Sequence, residues 1–362
     1  MVRALRLVAL VAFASLLSAL PACSGKGGSG KVKVAVVTNC TDPFWTICEA
    51  GAKQSAKDRD VELVFRQPAT DTVVDQMEIV EALLKTGIKG LAISVINPKE
   101  QTPDLTRIAG QVNLLTMDND AEKSGRLCYI GIDNYEAGKE AGRMVKRALP
   151  DGGTVAIFIG NTTSDNAHGR IAGVLDELDG KDNRAEITAG KYREKYGKFT
   201  LHRKEPITDG TTPDRVANNA SDALEQLKNT PNVAMVGLYN SNPKGILEAA
   251  RSKSLVGKIK IIGFDENPVT LEGIDKGEIE GTVIQDPYNY GYEAVKWLAH
   301  MAKGGDKKDL PTKAVPHGLV NKEGTKPPDS ARYRFPTDPK LPDETRFMVY
   351  KASDYAKLLA GK

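Results

Sequence analysis

The stretch Lys31–Asp58, KVKVAVVTNCTDPFWTICEAGAKQSAKD, changes its periodicity in the middle. Val32–Val37 is a short β-branched run, the composition of a strand covered on both faces. Pro43 then stands where a helix tolerates proline, in the first turn, whose N–H groups have no intrahelical acceptor to lose. Beyond it Phe44, Cys48, Gly51, Ala52 and Ser55 recur at helical spacing and mark one inward face. A strand, a polar turn and an amphipathic helix in that order make the opening of a βα unit.

The alternation continues downstream. Further strands are expected at Val61–Phe65, Gly90–Ser94, Asn113–Met117 and Leu127–Ile132, with helices near Asp71–Thr86, Asp104–Gly110 and Tyr135–Leu149. A second series follows, with strands at Thr154–Ile159, Ala234–Leu238, Ile259–Phe264 and Gly281–Ile284. Its helices lie near Asp165–Leu178, Asp214–Lys228, Lys244–Lys253, Pro268–Lys276 and Tyr288–Lys303. Two half-chains of the same kind, the second beginning near Asn134, imply two similar α/β lobes built on parallel sheets. The segment Tyr192–His202, rich in Lys, Arg and Tyr, interrupts the pattern and reads as a surface excursion. From Leu310 the chain is Pro-rich and charged, a long surface loop before a late strand at Phe347–Tyr350 and a final helix at Ser353–Leu359.

The first thirty residues read as an export segment. Arg3 and Arg6 precede an apolar run from Leu7 to Leu20, shorter than the ~20 residues a membrane span needs. Leu20-Pro21-Ala22-Cys23 resembles a bacterial lipobox, which implies cleavage before Cys23 and lipidation of its sulfur; Pro21 is an unusual occupant of that motif. On that resemblance residues 1–22 are expected to be a lipoprotein signal peptide and 23–30, made largely of Gly, Ser and Lys, a flexible tether to a membrane-held anchor; the competing reading is an ordinary signal peptide cut after Ala22 with Cys23 free. The chain of 362 residues carries a net charge of +3 that includes Arg3 and Arg6, so a chain starting at Cys23 carries +1 and has no electrostatic case for nucleic acid. Of the other cysteines, Cys40, Cys48 and Cys128, export makes a Cys40–Cys48 disulfide conceivable; the competing reading places Cys48 in the core on the inner face of its helix.

In open α/β sheets ligands sit outside the carboxyl ends of the strands. The residues at those ends are polar or aromatic here: Asp42-Pro43-Phe44-Trp45, Asp118-Asn119, Asn161 to Arg170, Tyr239-Asn240-Ser241-Asn242, Gly263-Phe264-Asp265 and Gln285-Asp286-Pro287. This ordered set resembles the ribose-binding protein family of periplasmic receptors over about residues 31–305, a fold shared with the ligand-binding halves of lac-repressor-like regulators. Ile132-Asp133-Asn134 resembles the segment that precedes the crossover into the family's second lobe, although Asp133 alone reads as a helix cap.

The resemblance implies a type I periplasmic binding protein fold: an N-terminal lobe of 31–133 plus 286–318 and a C-terminal lobe of 134–285 plus 319–362, with Rossmann-like sheets joined by a three-crossover hinge. It implies that Asp42, Phe44, Trp45, Asp118, Asn119, Arg170, Asn240, Asp265 and Gln285 bind a sugar or similar polar ligand. Aromatic rings would cover its C–H faces, carboxylates would accept from its hydroxyls, and Arg170 would donate in a planar fork. Asn119 stands where ribose receptors carry a second arginine, Asp42 replaces an asparagine, and Thr208-Asp209-Gly210-Thr211 stands where they offer an aromatic, so the ligand need not be ribose. The implied partners are an ABC permease and a small sugar or polyol, the protein acting as a monomer at the cell surface or in the periplasm. A receptor reporting to a membrane sensor has the same sequence signature.

An enzyme is the rival reading on such a fold. His168, His202, His300 and His317 form no metal-spaced pair, and the sequence has no G-x-S-x-G elbow, no Walker loop and no G-x-G-x-x-G after the first strand. No metal, cofactor or catalytic residue is expected. A regulator would need a helix-turn-helix where the export segment stands.

Overall fold

The computed structural model describes residues 30–210, 212–312, 314, 318–321 and 324–325. The expected signal peptide, Cys23, Thr211, and the strand and helix expected in the tail lie outside these residues.

The first half consists of β1 (Lys33–Val37), α1 (Pro43–Arg59), β2 (Glu62–Arg66), α2 (Val73–Leu84), β3 (Gly90–Ile93), α3 (Pro98–Ala109), β4 (Asn113–Met117) and β5 (Tyr129–Ile130). The second begins with α4 (Asn134–Ala148), β6 (Gly153–Ile159), α5 (Asp165–Asp179), α6 (Arg184–Thr188), β7 (Lys195–Tyr196), β8 (Phe199–Leu201) and β9 (Ile207–Thr208). It continues with α7 (Pro213–Leu227), β10 (Val233–Gly237), α8 (Ser241–Ser252), β11 (Ile259–Phe264), α9 (Pro268–Asp275) and β12 (Gly281–Ile284). The last elements are α10 (Pro287–Ala302), β13 (Gly318–Asn321) and β14 (Gly324–Thr325).

These strands make two sheets. One has the order β2-β1-β3-β4-β5, all parallel; the other runs β14-β13-β12-β11-β10-β6-β8-β7, parallel from β12 to β8, with β9 also on β6. The β-branched strands are buried on both faces because helices cover both. In β1, Val34 and Val36 join the core beneath α1 and α10, whereas Ala35 and Val37 join that of α2 and α3. In β6, Val155, Ile157 and Ile159 face α4 and α5, while Ala156 and Phe158 pack with Ala223 and Leu224 of α7 and Ile246 of α8. A period of two thus sorts each strand into two cores.

The chain passes between the halves three times: between β5 and α4, between β12 and α10, and between α10, which packs on α1, β1, β3 and β4, and β13, which pairs antiparallel with β12.

In each half one pair of helices meets on glycine. A Cβ on Gly51 of α1 would lie 1.9 Å from the Tyr288 carbonyl oxygen, and one on Gly291 of α10 1.9 Å from that of Cys48. The α4–α5 pair repeats the device: a Cβ on Gly138 would sit 2.3 Å from the Arg170 carbonyl oxygen, and one on Gly173 2.1 Å from that of Tyr135. The backbones approach so closely that any side chain at these positions would force the helices apart.

Three local expectations are corrected. Helix α3 starts at Pro98, before the expected Asp104, because the Asn97 side chain accepts the Glu100 N–H and Pro98 occupies the first turn; Pro103 is carried inside the helix over the exposed Lys99. The strand expected over Leu127–Ile132 pairs only at Tyr129–Ile130. Most notably, Tyr192–His202 is no surface excursion. Gly197, at φ +58°, turns β7 back on β8, which adds in parallel to β6, and Tyr196 and Phe199 are buried in the core. Asp179 fixes the turn by accepting from the Gly197 N–H and the Arg193 guanidinium.

Phe199→Ala therefore removes a core ring, and guanidinium or urea unfolding should show a loss of about 3–5 kcal/mol. A change within about 0.5 kcal/mol, as for a surface residue, would contradict the hairpin's place in the core.

Candidate functional site

The carboxyl ends of both sheets border one cavity of about 650 Å³, well inside the ~300–1,000 Å³ range of small-molecule sites. All nine residues expected to touch ligand line it: Asp42, Phe44, Trp45, Asp118, Asn119, Arg170, Asn240, Asp265 and Gln285.

Two of them sit at matching places in the two halves. Asp118 follows β4 and Asp265 follows β11, both in the left-handed region, at φ +60° and +66°. The Asp118 N–H donates to the Ile130 carbonyl and the Asp265 N–H to that of Val283, so each backbone group stays tied to the neighbouring strand. Non-glycine residues held in this conformation tend to mark functional sites. Asp118 accepts from Ser94 Oγ at 2.8 Å through Oδ2, and Asp265 accepts from Gln285 Nε2 at 2.7 Å through Oδ1. Burial pushes the Asp118 carboxyl up to about 6, although Arg170 and the Ser94 hydroxyl pull it down. Asp265 is raised in the same way, against Arg170 and Gln285.

Arg170 lies on α5 and is 2% exposed, so it is no solvated helix residue. Its Nε donates to Asn134 Oδ1 at 2.9 Å and its Nη1 to the Leu238 carbonyl at 2.8 Å. The guanidinium carbon stands 3.9 Å from the centre of the Phe264 ring, and Nη1 stands 3.9 Å from Asp265 Oδ2.

The loop after β1 forms the facing wall. Asp42 caps α1 by accepting the Phe44 N–H at 2.8 Å, and the same oxygen receives Asn240 Nδ2 at 3.3 Å from the other half. Asn119 accepts the Asn166 N–H across the cleft at 3.1 Å. The expected aromatic platform is divided. Trp45 is 2% exposed and packed into the core, with Nε1 donating to Asn39 Oδ1, while Phe44 stands edge-on to it at 4.9 Å as the less buried ring.

Asp133 is a helix cap, accepting from the Tyr135 and Glu136 N–H groups, and the cap of α9 is Asn267, not Asp265. The Cys40–Cys48 disulfide is corrected: both are free thiols. Cys48 is fully buried on the inner face of α1, where Gly291 of α10 abuts its carbonyl, whereas Cys40 belongs to the cavity wall. Burial pushes the Cys40 thiol up to about 12. Tyr239, quoted among the strand-end residues but absent from the nine expected ligand contacts, also belongs to the wall: its hydroxyl meets Ser164 Oγ at 2.7 Å and Asn166 Oδ1 at 3.0 Å. Its place at the end of β10 was the signal, and it supplies the second half with an aromatic that Thr208–Thr211 does not.

A two-lobed α/β body with a polar cavity between the carboxyl ends of its sheets defines a ligand-capturing receptor. Residues 34–306 match the family of the periplasmic binding protein domain, and the chain belongs to it. That membership places it outside the cytoplasm. Among the described residues no helix is long and apolar enough to cross a membrane. The chain is 23% identical over 293 residues to the D-allose-binding periplasmic protein of Escherichia coli, covering 78% of this chain and 87% of that protein. It is also similar to an ABC transporter solute-binding protein from Burkholderia graminis in complex with D-arabinose, at TM-score 0.71 and 26% identity, covering 81% of this chain and 96% of that one. A glucose-galactose-binding protein from Geobacillus stearothermophilus matches at TM-score 0.70 and 25% identity, covering 81% and 98%.

The raised Asp118 carboxyl has a sign that can be measured. Folded protein binds its proton more tightly than unfolded chain, so the associated stability is full below about pH 4 and is lost as pH rises through about 6. Asp118→Asn should flatten the fall in ligand-free stability between those values and leave the variant roughly 1–3 kcal/mol more stable at pH 8. Denaturant melts at pH 4, 6 and 8 check this; equal slopes would contradict it.

Proposed function

We propose that this protein is the solute-binding component of an ABC importer, holding a sugar or sugar-like polar ligand in the cavity and performing no chemistry on it. The observation that carries the reading is the convergence of Asp118, Asn119, Arg170, Asn240, Asp265 and Gln285 on one cavity from the strand ends of two halves. Acceptors, a charged donor and amphoteric amides together match a rim of hydroxyls, each of which both donates and accepts. The sugars named for its relatives support the class of ligand. Among the described residues of this wall there is no histidine or lysine to serve a nucleophile as base, which favours capture over catalysis.

In this reading residues 31–133 with 286–318 form one lobe and 134–285 with 319–362 the other, and the three crossovers are the hinge. Ligand favours the closed form to the extent that it binds that form better than the open one. The closed monomer then presents both lobe surfaces to a membrane permease.

Calorimetry with D-allose, D-ribose, D-arabinose, D-glucose and D-galactose tests the site. A cognate ligand at ~100 times its dissociation constant should stabilise the fold by about 2.7 kcal/mol and compact it in solution scattering. Asp265→Ala should weaken that ligand by about 10–150-fold, the equivalent of one charge-assisted hydrogen bond. Unchanged affinity in Asp265→Ala would contradict the site.

The anchor is the second part of the proposal. Cys23, after an apolar run and before a Gly/Ser/Lys tether, is read as the lipidated N-terminus of the mature protein. Cys23→Ser should shift the protein from the membrane to the soluble fraction or leave it uncleaved. A wild-type protein recovered fully soluble with an unmodified Cys23 would overturn the anchor and leave the cavity reading untouched.

A further inference from the structure

The ionisable wall of the cavity is lopsided. Asp42, Asp118 and Asp265 line it, and among the described residues of the wall Arg170 is the one basic side chain. Arg170 is already committed, to Asn134 and the Leu238 carbonyl, and the carboxylate beside it is that of Asp265. Asp118 has no such cation within ion-pair distance among the described residues. It is 6% exposed, Ser94 donates to Oδ2, and Oδ1 takes no hydrogen bond from a described residue while the side chain lines the cavity. The buried Oδ1 of Asn240, on the opposite wall, likewise has no donor.

A buried carboxylate with no cation at ion-pair distance, which feels Arg170 only from further off and holds one hydroxyl donor, is relieved by a proton, by further donors or, most strongly, by a positively charged neighbour. A resident metal ion is a poor fit. Among the described residues no three His, Cys, Asp or Glu side chains gather closely enough to share one, so the carboxylates surround the space and do not converge on a point. The positive charge then comes with the ligand. Resting on the reading of the cavity as a site for polyhydroxylated molecules, we propose that its ligand carries a cationic nitrogen, as an amino sugar or aminocyclitol does, with the ammonium seated against Asp118. Asp42 and Asp265 add to the field, while hydroxyls of the ring meet Arg170, Asn240 and Gln285. An ammonium offers three donors in a compact group, which suits an acceptor pair such as Asp118 Oδ1 and Asn240 Oδ1. The same field disfavours uronic acids and sugar phosphates.

The experiment is calorimetry on ligand-stripped full-length protein at pH 7. The probes are D-glucosamine, D-galactosamine, D-mannosamine and 2-deoxystreptamine, each set against its hydroxyl counterpart, with the N-acetyl sugars as neutral amides of similar shape. At least one amine should bind tenfold or more tighter than both its hydroxyl and its N-acetyl counterpart, and the margin should shrink as salt rises. Asp118→Asn should cut that margin at least fivefold; if this variant does not fold, Asp42→Asn provides the same readout. Hydroxyl counterparts that bind as tightly as the amines would overturn the charge assignment and leave the sugar site standing. Failure of every amine and every neutral sugar, D-allose, D-ribose and D-arabinose included, would overturn both.

Discussion

The Arg170 guanidinium carries five N–H donors and no acceptor, and the fold removes it from water almost completely, so every neighbour must be arranged to receive it. Asn134 at the start of α4 accepts from Nε, the end of β10 accepts from Nη1 through Leu238, and β11 provides the Phe264 face and the Asp265 carboxylate. Three elements of the second half are thereby fixed relative to one another at their cavity-facing ends. The close α4–α5 packing serves this arrangement directly, since Gly138 abuts the carbonyl of Arg170 itself. Had Gly138 carried a side chain, α5 would stand off from α4 and the guanidinium would lose its Asn134 acceptor.

The two halves solve one problem in the same way. Each ends a central strand on an aspartate in the left-handed conformation, ties its N–H to the next strand, and turns its carboxylate toward the cavity. The difference lies in compensation, because each accepts from one neutral donor, Gln285 or Ser94, but Arg170 stands at ion-pair distance from Asp265 alone and acts on Asp118 from further off. Equivalent backbone geometry therefore yields two acceptors of different character, one leaning on a fixed cation and one open to whatever donor arrives.

Much of this was legible in the sequence because the signals were local. β-branched runs, Pro43 at the first turn of α1, and polar residues at strand ends each depend on a few neighbours, and they located the sheets and all nine expected cavity residues. What escaped depended on distant partners. The segment Tyr192–His202 reads as solvated because Arg193, Lys195 and Lys198 are interleaved with its aromatics, but Tyr196 and Phe199 find a core only when β8 docks on β6, over forty positions earlier. Trp45 lines the cavity as expected, but its indole is 2% exposed and donates to Asn39 Oδ1, a contact that depends on the fold of the β1–α1 loop. The cysteines at 40 and 48 are close in sequence, but the inward face of α1 claims Cys48 for its packing with α10.

The crossovers and the site are chemically one network. Tyr290, buried on α10, accepts the Ile132 N–H at 3.1 Å where the chain leaves the first half, and donates to Gln285 Oε1 at 3.0 Å where it returns. Gln285 in turn donates to Asp265. Its amide has one acceptor and one donor group in play, and the pair of bonds fixes which way round it lies, with Nε2 toward the carboxylate. A rotation of one half about these crossovers cannot leave that relay untouched, because Ile132 and Gln285 belong to two different crossings while Tyr290 belongs to the helix after the second. By contrast, the bonds that reach directly across the cleft, Asn240 to Asp42 and Asn166 to Asn119, join polar groups that water or a ligand hydroxyl can replace at little net cost. The bonds at the crossovers are thus buried and mutually dependent, whereas those at the mouth are exchangeable, so in the proposed closure the contacts between the two walls are the ones a ligand replaces at least cost.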